Sequence, residues 1–135
     1  MFMNKKTDYA LRIIRALTDQ NRHTAAELAG NEQIPLAFTY KILKQLSRAG
    51  IISLERGPGG GCSLQTNLKQ ISLYDLILIM EGEADMTACM NGHYDCSWRK
   101  SHGICKIHLN LMAVQKEINQ KLQSKSLWDI IGKTT

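Results

Sequence analysis

The amino-acid sequence predicts a mainly α-helical protein with one small β-hairpin, and three observations lead there. Apolar residues recur at helical spacing through most of the 135 residues. Two short runs, Ile51-Ile52-Ser53-Leu54-Glu55 and Cys62-Ser63-Leu64-Gln65-Thr66, read as strands around the glycine-rich tip Arg56-Gly57-Pro58-Gly59-Gly60-Gly61. A long periodic stretch, roughly 102–123, lies near the C-terminal end.

From Asp8 to Leu17, Leu11, Ile14 and Leu17 recur with Tyr9, Ala10 and Ile13 beside them, the pattern of an amphipathic helix. Thr24-Ala25-Ala26-Glu27 is a capping-box sequence, in which the threonine hydroxyl accepts from the Glu27 amide and the glutamate reaches back. Gly30-Asn31-Glu32-Gln33 supplies a turn that keeps this helix short. Ile34-Pro35 restarts a helix with proline at its first position, where the absent N–H costs nothing. The third helix carries Thr39, Ile42, Leu43, Leu46 and Ala49 on one stripe, and Ala37, Tyr40, Lys41, Lys44, Gln45 and Arg48 on the other face, until Gly50 ends it.

A short helix, a tight turn and a basic helix make a helix-turn-helix, with the last helix reading the major groove. A three-helix bundle with a solvated charged face gives the same pattern. The hairpin favours the first reading, because a glycine-tipped hairpin after such helices is the wing of a winged helix. Its glycines let the backbone approach phosphates, and Arg56 at its base can enter a narrow minor groove. No Gly-Lys-Ser/Thr follows and no helix opens there, which argues against nucleotide binding. Charge is placed accordingly. Residues 1–69 hold ten Lys/Arg against five Asp/Glu, residues 70–135 seven against seven, so the net +5 belongs to the first half. Charge alone would fit a merely soluble basic surface equally well.

Ser72-Leu73-Tyr74-Asp75 opens another capped helix, with Leu73, Leu76, Ile77 and Met80 as its buried stripe and Gly82 as its stop. Residues 83–103 then read as a long loop without secondary structure, a length usually kept for function. The long helix at 102–123 places Leu109, Leu111, Met112, Gln115, Ile118 and Leu122 at coiled-coil-like spacing. Such a stripe is buried either against a symmetry mate or against the chain's own core. Ser126 to Ile131 reads as a short capped helix anchored by Trp128.

The chemistry-bearing residues follow the spacing Cys89-x6-Cys96-x8-Cys105-x2-His108. Thiolates are the usual ligands of iron-sulfur clusters, and a histidine can replace one of them. A closed zinc site of three cysteines and one histidine uses the same donors. Zinc ligands, however, usually come in pairs two to four residues apart, which only Cys105 and His108 satisfy. A cluster is therefore preferred to zinc, with three unliganded thiols as the remaining alternative. Cys62 reads as a small buried hydrophobe, and His23, His93 and His102 as solvent-facing, with His93 and His102 kept as spare ligand candidates because they lie within the loop. An enzyme such as a thiol oxidoreductase is not expected, because no Cys-x-x-Cys pair and no nucleophile-base constellation is present. No apolar run reaches the roughly 18 residues that span a bilayer, and the start has no signal-peptide core, so a cytoplasmic protein without disulfides is expected.

The segments Thr7-Asp8-Tyr9-Ala10-Leu11-Arg12 and Arg56-Gly57-Pro58-Gly59-Gly60-Gly61, the helix-turn-helix between them and the cysteine loop resemble the Rrf2 family of bacterial winged-helix transcription regulators, over nearly the whole chain. That family includes iron-sulfur and nitric-oxide sensors. The resemblance implies a winged helix followed by a long dimerisation helix, and a homodimer on double-stranded DNA carrying a partly palindromic operator. Within one compact domain, residues 1–69 would be the DNA-binding region and 70–135 the cluster-binding loop (83–103) and dimerisation helices. The DNA face would comprise Lys5, Lys6, Ala37, Thr39, Tyr40, Lys41, Lys44, Arg48, Arg56, Gly57, Gly59 and Gly60.

The resemblance further implies Cys89, Cys96 and Cys105 as cluster ligands, with gaps longer than in the cluster-binding members. Two residues compete as fourth ligand. His108 matches a histidine ligand of some members, whereas Asp8 lies in the segment that supplies a carboxylate from the opposite subunit in others. The helix dipole alone would also favour an aspartate there. Histidine suits a two-iron cluster, the preferred form, with a four-iron cluster as its alternative and zinc less favoured. Cys62 departs from the family, which commonly has an aromatic residue just after the wing glycines. The alternatives are a clusterless member governed by thiol oxidation or a partner protein, and a structural zinc-binding DNA-binding module.

Overall fold

The first helix starts at a side-chain cap: Asn4 Oδ1 accepts the Lys6 amide at 2.9 Å, and α1 (Lys5–Ala16) runs from there in the computed structural model, which describes residues 3–132. Its start lies before Asp8 because capping, not apolar spacing, sets it. The buried face is Thr7, Ala10, Ile13 and Ile14, continued by Leu17 in a single 3-10 turn (Leu17–Asp19).

Thr24 caps α2 (Ala25–Glu32) by accepting the Glu27 amide at 3.1 Å. The reciprocal half of the expected box is replaced, since the Glu27 carboxylate stands 3.5 Å from His23 Nδ1. Gly30 does not end this helix. Leu28 and Ala29 are buried beside it, and packing carries the helix to Glu32, where Gln33 turns the chain at φ 56. Pro35 is the cap of α3 (Leu36–Arg48) rather than its first residue. That helix buries Thr39, Ile42, Leu43 and Leu46, leaves Ala49 exposed, and stops at Gly50, whose φ is 80.

The hairpin pairs β1 (Ile52–Glu55) antiparallel with β2 (Gly61–Leu64), Ile52 opposite Leu64 and Glu55 opposite Gly61. His23, just before α2, adds a bridge to β2. Its N–H donates to Cys62 O at 2.9 Å and its carbonyl accepts the Cys62 N–H at 2.8 Å. Cys62 is buried in the core, its thiol donating to His23 O at 3.3 Å. Desolvation, aided by the Glu27 charge, pushes that thiol up to about 11.

A complete capping box opens α4 (Leu73–Glu81): Ser72 Oγ accepts the Asp75 amide and Asp75 accepts the Ser72 amide, both at 3.0 Å. Gly82 ends this helix at φ 83. The segment expected to be unstructured contains a 3-10 turn (Ala88–Met90) and α5 (Ser97–His102), closed by Gly103 at φ 88. The long helix therefore begins later than expected, as α6 (Lys106–Ser124). A second complete box, Ser126 with Asp129, opens α7 (Leu127–Ile131). The starts of α4 and α7 are tied together, Leu73 N–H donating to Lys125 O and Leu127 N–H to Ile71 O, each at 2.8 Å.

Gln115, expected on the seam toward a symmetry mate, instead faces its own chain. It is buried, accepts the Met86 amide at 2.6 Å and donates to Ala84 O at 2.9 Å, because these backbone groups have no helical partner. The core itself draws on both halves of the chain, uniting Ile13, Leu46 and Ile52 with Leu76, Met80 and Leu127. Among the described residues no helix is long and apolar enough to cross a membrane.

Burial and the raised pKa of Cys62 make its thiol unreactive in the native fold. In reduced, metal-free protein at pH 8, iodoacetamide should label Cys89, Cys96 and Cys105, with Cys62 labelled only after guanidinium unfolding. Peptide mass spectrometry checks this.

Candidate nucleic-acid interface and metal centre

With one face of α3 in the core, the other presents Ala37, Tyr40, Lys41, Lys44 and Arg48 to solvent. Lys6 of α1 joins Lys41, Lys44 and Arg48 around a groove of about 260 Å³, and Lys5 is exposed beside it in sequence. Among the described residues no carboxylate lines that groove, which leaves its cations available to phosphates. A second cleft, about 510 Å³, lies between Tyr40 and Lys44 of α3, Thr24 at the start of α2, and Leu54, Arg56 and Gly60 of the wing. Tyr40 is 57% exposed there, a large ring held at the surface of the reading helix. Thr39, expected on the DNA face, is fully buried with its hydroxyl donating to Pro35 O at 3.1 Å. It lies on the core side of α3, away from the exposed basic face.

The wing tip closes by a hydrogen bond from Gly60 N–H to Gly57 O at 2.9 Å. A Cβ on Gly60 would collide with the Glu55 and Gly57 carbonyls, and Gly57 has φ 87, so both positions require glycine. Gly59 likewise turns at positive φ, 76, and its carbonyl accepts from Arg22 Nη1 at 3.0 Å. The same Arg22 nitrogen lies 2.9 Å from Glu55 Oε2. Arg22 thus fastens the wing to the segment before α2. No local sequence signal marks it, because its partners lie more than thirty residues away.

Two of the three loop cysteines begin helices. Cys96 is the N-cap of α5, and Cys105 is the N-cap of α6 with its Sγ accepting the His108 amide at 3.4 Å. Helix N-termini favour anionic sulfur. The Cys96 thiol is held below its ordinary range chiefly by the Arg99 backbone N–H, with the Trp98 N–H and the Arg99 guanidinium adding to it against partial desolvation. Cys89 sits in the 3-10 turn that packs on α6. All three are half-buried free thiols.

A cavity of about 340 Å³ brings Cys105, His108 and Arg99 together. His108 Nδ1 and Arg99 Nε are buried there without a hydrogen-bond partner among the described residues. Such orphans cost on the order of 1–3 kcal/mol each unless something satisfies them. In kind, the Cys105 sulfur and an unpartnered imidazole nitrogen beside it are donors of the sort an iron-sulfur cluster takes. Among the described residues no three His, Cys, Asp or Glu side chains stand grouped as a metal site. Cys105 and His108 are adjacent, whereas Cys89 remains on its own turn. Asp8 is engaged by Arg12 at 3.0 Å on α1. Of the other histidines, His93 and His102 are exposed, the latter stacked on Trp98 at 4.4 Å. His23, expected in solvent, is instead half-buried between Asp19 and Glu27, at 2.8 and 3.5 Å.

A helix-turn-helix with a basic outer face and a glycine-tipped hairpin beside it defines a winged-helix DNA-binding protein. The Rrf2 family model, described as an iron-dependent transcriptional regulator, matches residues 3–133, and the chain belongs to that family. It is a DNA-binding transcription regulator, not an enzyme. The chain is 28% identical over 139 residues to the HTH-type transcriptional repressor NsrR of Streptomyces coelicolor, covering 100% of this chain and 91% of that protein. It is 32% identical over 79 residues to the HTH-type transcriptional regulator IscR of Vibrio cholerae, covering 58% and 45%. Its fold is similar to that of CymR (YrzC), the global cysteine regulator of B. subtilis, with a TM-score of 0.69 at 18% identity over 96% of this chain and 95% of that one.

Binding to duplex DNA, followed by fluorescence anisotropy, should weaken steeply with salt. Lys44→Ala or Arg56→Ala should lower affinity and flatten the log–log salt slope by about 1 for each phosphate that the variant no longer neutralises. Lys125→Ala, at the far end of α6, should change neither.

Proposed function

We propose that the chain is a homodimeric repressor acting in the cytoplasm on a partly palindromic operator, and that it reads an iron-sulfur cluster held by Cys89, Cys96, Cys105 and His108. The observation that carries this reading is the cavity in which Cys105 meets a buried His108 Nδ1 that has no other partner. A two-iron cluster is preferred because histidine stands in for one thiolate. Asp8 is the competing fourth ligand, supplied from the second subunit, and its bond to Arg12 would have to open first. The cluster, when bound, supplies one-electron chemistry and reactivity toward oxidants and nitric oxide.

The chain's own residues supply the rest. Because Cys96 and Cys105 cap α5 and α6, any pull on their sulfur atoms acts on two helix starts. On α6, Ile107 is 70% exposed and Val114 43% exposed, with half-buried Leu111 and Ile118 completing a stripe at three- and four-residue spacing. That stripe suits a second copy of the same helix. Dimerisation would set two reading helices at the spacing a palindrome demands. Repression follows the similarity to NsrR, itself a repressor by name.

Anaerobically purified protein should be brown, with iron and acid-labile sulfide, and Cys89→Ala, Cys96→Ala or Cys105→Ala should abolish the visible absorption. His108→Ala should alter the spectrum while Asp8→Ala leaves it unchanged; the reverse pattern assigns the fourth ligand to Asp8. A colourless protein with stoichiometric zinc would replace this reading by the structural zinc module. A colourless, metal-free protein whose DNA binding follows thiol oxidation would replace it by the clusterless one.

The α6 stripe makes a separate expectation. Ile107→Asp with Val114→Asp should convert a dimer into a folded monomer by analytical ultracentrifugation, with loss of cooperative operator binding.

A further inference from the structure

We propose that Arg99 is a working part of the cysteine site, its guanidinium donating hydrogen bonds to the sulfur atoms of the group that the cysteines hold. The inference rests on the cluster reading above and assigns a residue beyond the three thiols and the fourth ligand.

Arg99 lies inside the Cys96-x8-Cys105 gap, where the chain folds as α5. Cys96 caps that helix, so Arg99 is the third residue after the cap. Side chains on a helix lean toward its N-terminus, which sends the guanidinium back toward the capping cysteine. The Arg99 carbonyl accepts the Gly103 amide at 2.8 Å, closing the helix and fixing the arginine within it. Its side chain lines the same cavity as Cys105 and His108, on a helix whose cap is Cys96.

The neighbouring cation shows what is unusual. Lys100 is exposed and paired with Asp95 at 2.8 Å, an ordinary surface contact. Arg99 Nε is buried and has no partner among the described residues. A buried guanidinium N–H without an acceptor is costly, which favours an anionic occupant of the cavity. Three thiolates and bridging sulfides make an iron-sulfur group negative overall and give it many sulfur acceptors. The two orphaned atoms then have complementary uses: His108 Nδ1 has a lone pair for a metal, and Arg99 Nε has a proton for sulfur. Arginine suits the second task better than lysine, because its planar fork presents several fixed donors. Donors to cluster sulfur and nearby charge both favour the reduced, more negative state.

The test uses full-length protein prepared anaerobically, comparing wild type with Arg99→Gln, Arg99→Lys and Lys100→Gln. Readouts are the midpoint potential by dye-mediated titration and the rate of iron release to a chelator. Arg99→Gln should keep a cluster spectrum, shift the midpoint to more negative potential and release iron several-fold faster. Arg99→Lys should keep a midpoint near wild type, because the charge remains, yet still release iron faster because the fork is lost. Lys100→Gln should match wild type in both. Should Arg99→Gln fail to fold by circular dichroism, the release rate of Arg99→Lys decides, and a wild-type rate there overturns the assignment. A brown wild type whose midpoint and release rate are unmoved in Arg99→Gln also overturns it, leaving the cluster reading intact. A colourless wild type overturns both.

Discussion

Helix α1 buries Ala10, Ile13 and Ile14 completely, with Leu17 continuing the face, and α2, α3, α4 and α7 all pack against it. Each buried aliphatic side chain of this size is worth roughly 1.5–3 kcal/mol. Against a whole-domain stability of about 5–15 kcal/mol, that face cannot be opened without unfolding. The reading helix and the helices behind the cysteine segment are thus parts of one core. A displacement of α4 or α7 must be met by α1, and α1 also carries Lys5 and Lys6.

Polar contacts run along the same line. Gln115 on α6 holds the backbone at Ala84 and Met86, just after Gly82 ends α4. The last residue of α4, Glu81, accepts the Thr7 hydroxyl at 2.6 Å and the Asn4 amide at 3.3 Å at the start of α1. A carboxylate at a helix N-terminus is favoured both by the free amides and by the dipole. From α6 to the basic end of α1 the connections are therefore specific hydrogen bonds, not only nonspecific packing.

What the sequence makes legible is local. The caps at Thr24, Ser72 and Ser126, the stripe of α3 and the glycine-tipped hairpin all rest on residues within one or two turns of each other, where side chain and backbone chemistry act directly. The errors arise where distant partners override local preference. Gly30 has a turn-forming reputation, but buried Leu28 and Ala29 keep it helical. Gln115 falls at an apolar-stripe position, and its amide is explained only by backbone groups about thirty residues upstream. Arg22 and His23 grip the wing across a separation of more than thirty residues, so nothing near them in sequence announces the role. Thr39 fits two faces of its helix by sequence, and burial settles which.

The cysteine spacing gains a physical meaning from the helices it brackets. The eight residues between Cys96 and Cys105 hold the six of α5 and then Gly103, whose positive φ turns the chain so that Cys105 can begin α6. Sequence alone offers no periodic signal there, since six residues are too few to show one. Yet the short helix does what a flexible loop of equal length would not. It places one sulfur at each of two helix starts, where backbone amides favour negative charge. It also carries Arg99 between them, beside His108. The extra residues of the longer gap are thus ordered into an element that carries its own capping cysteine.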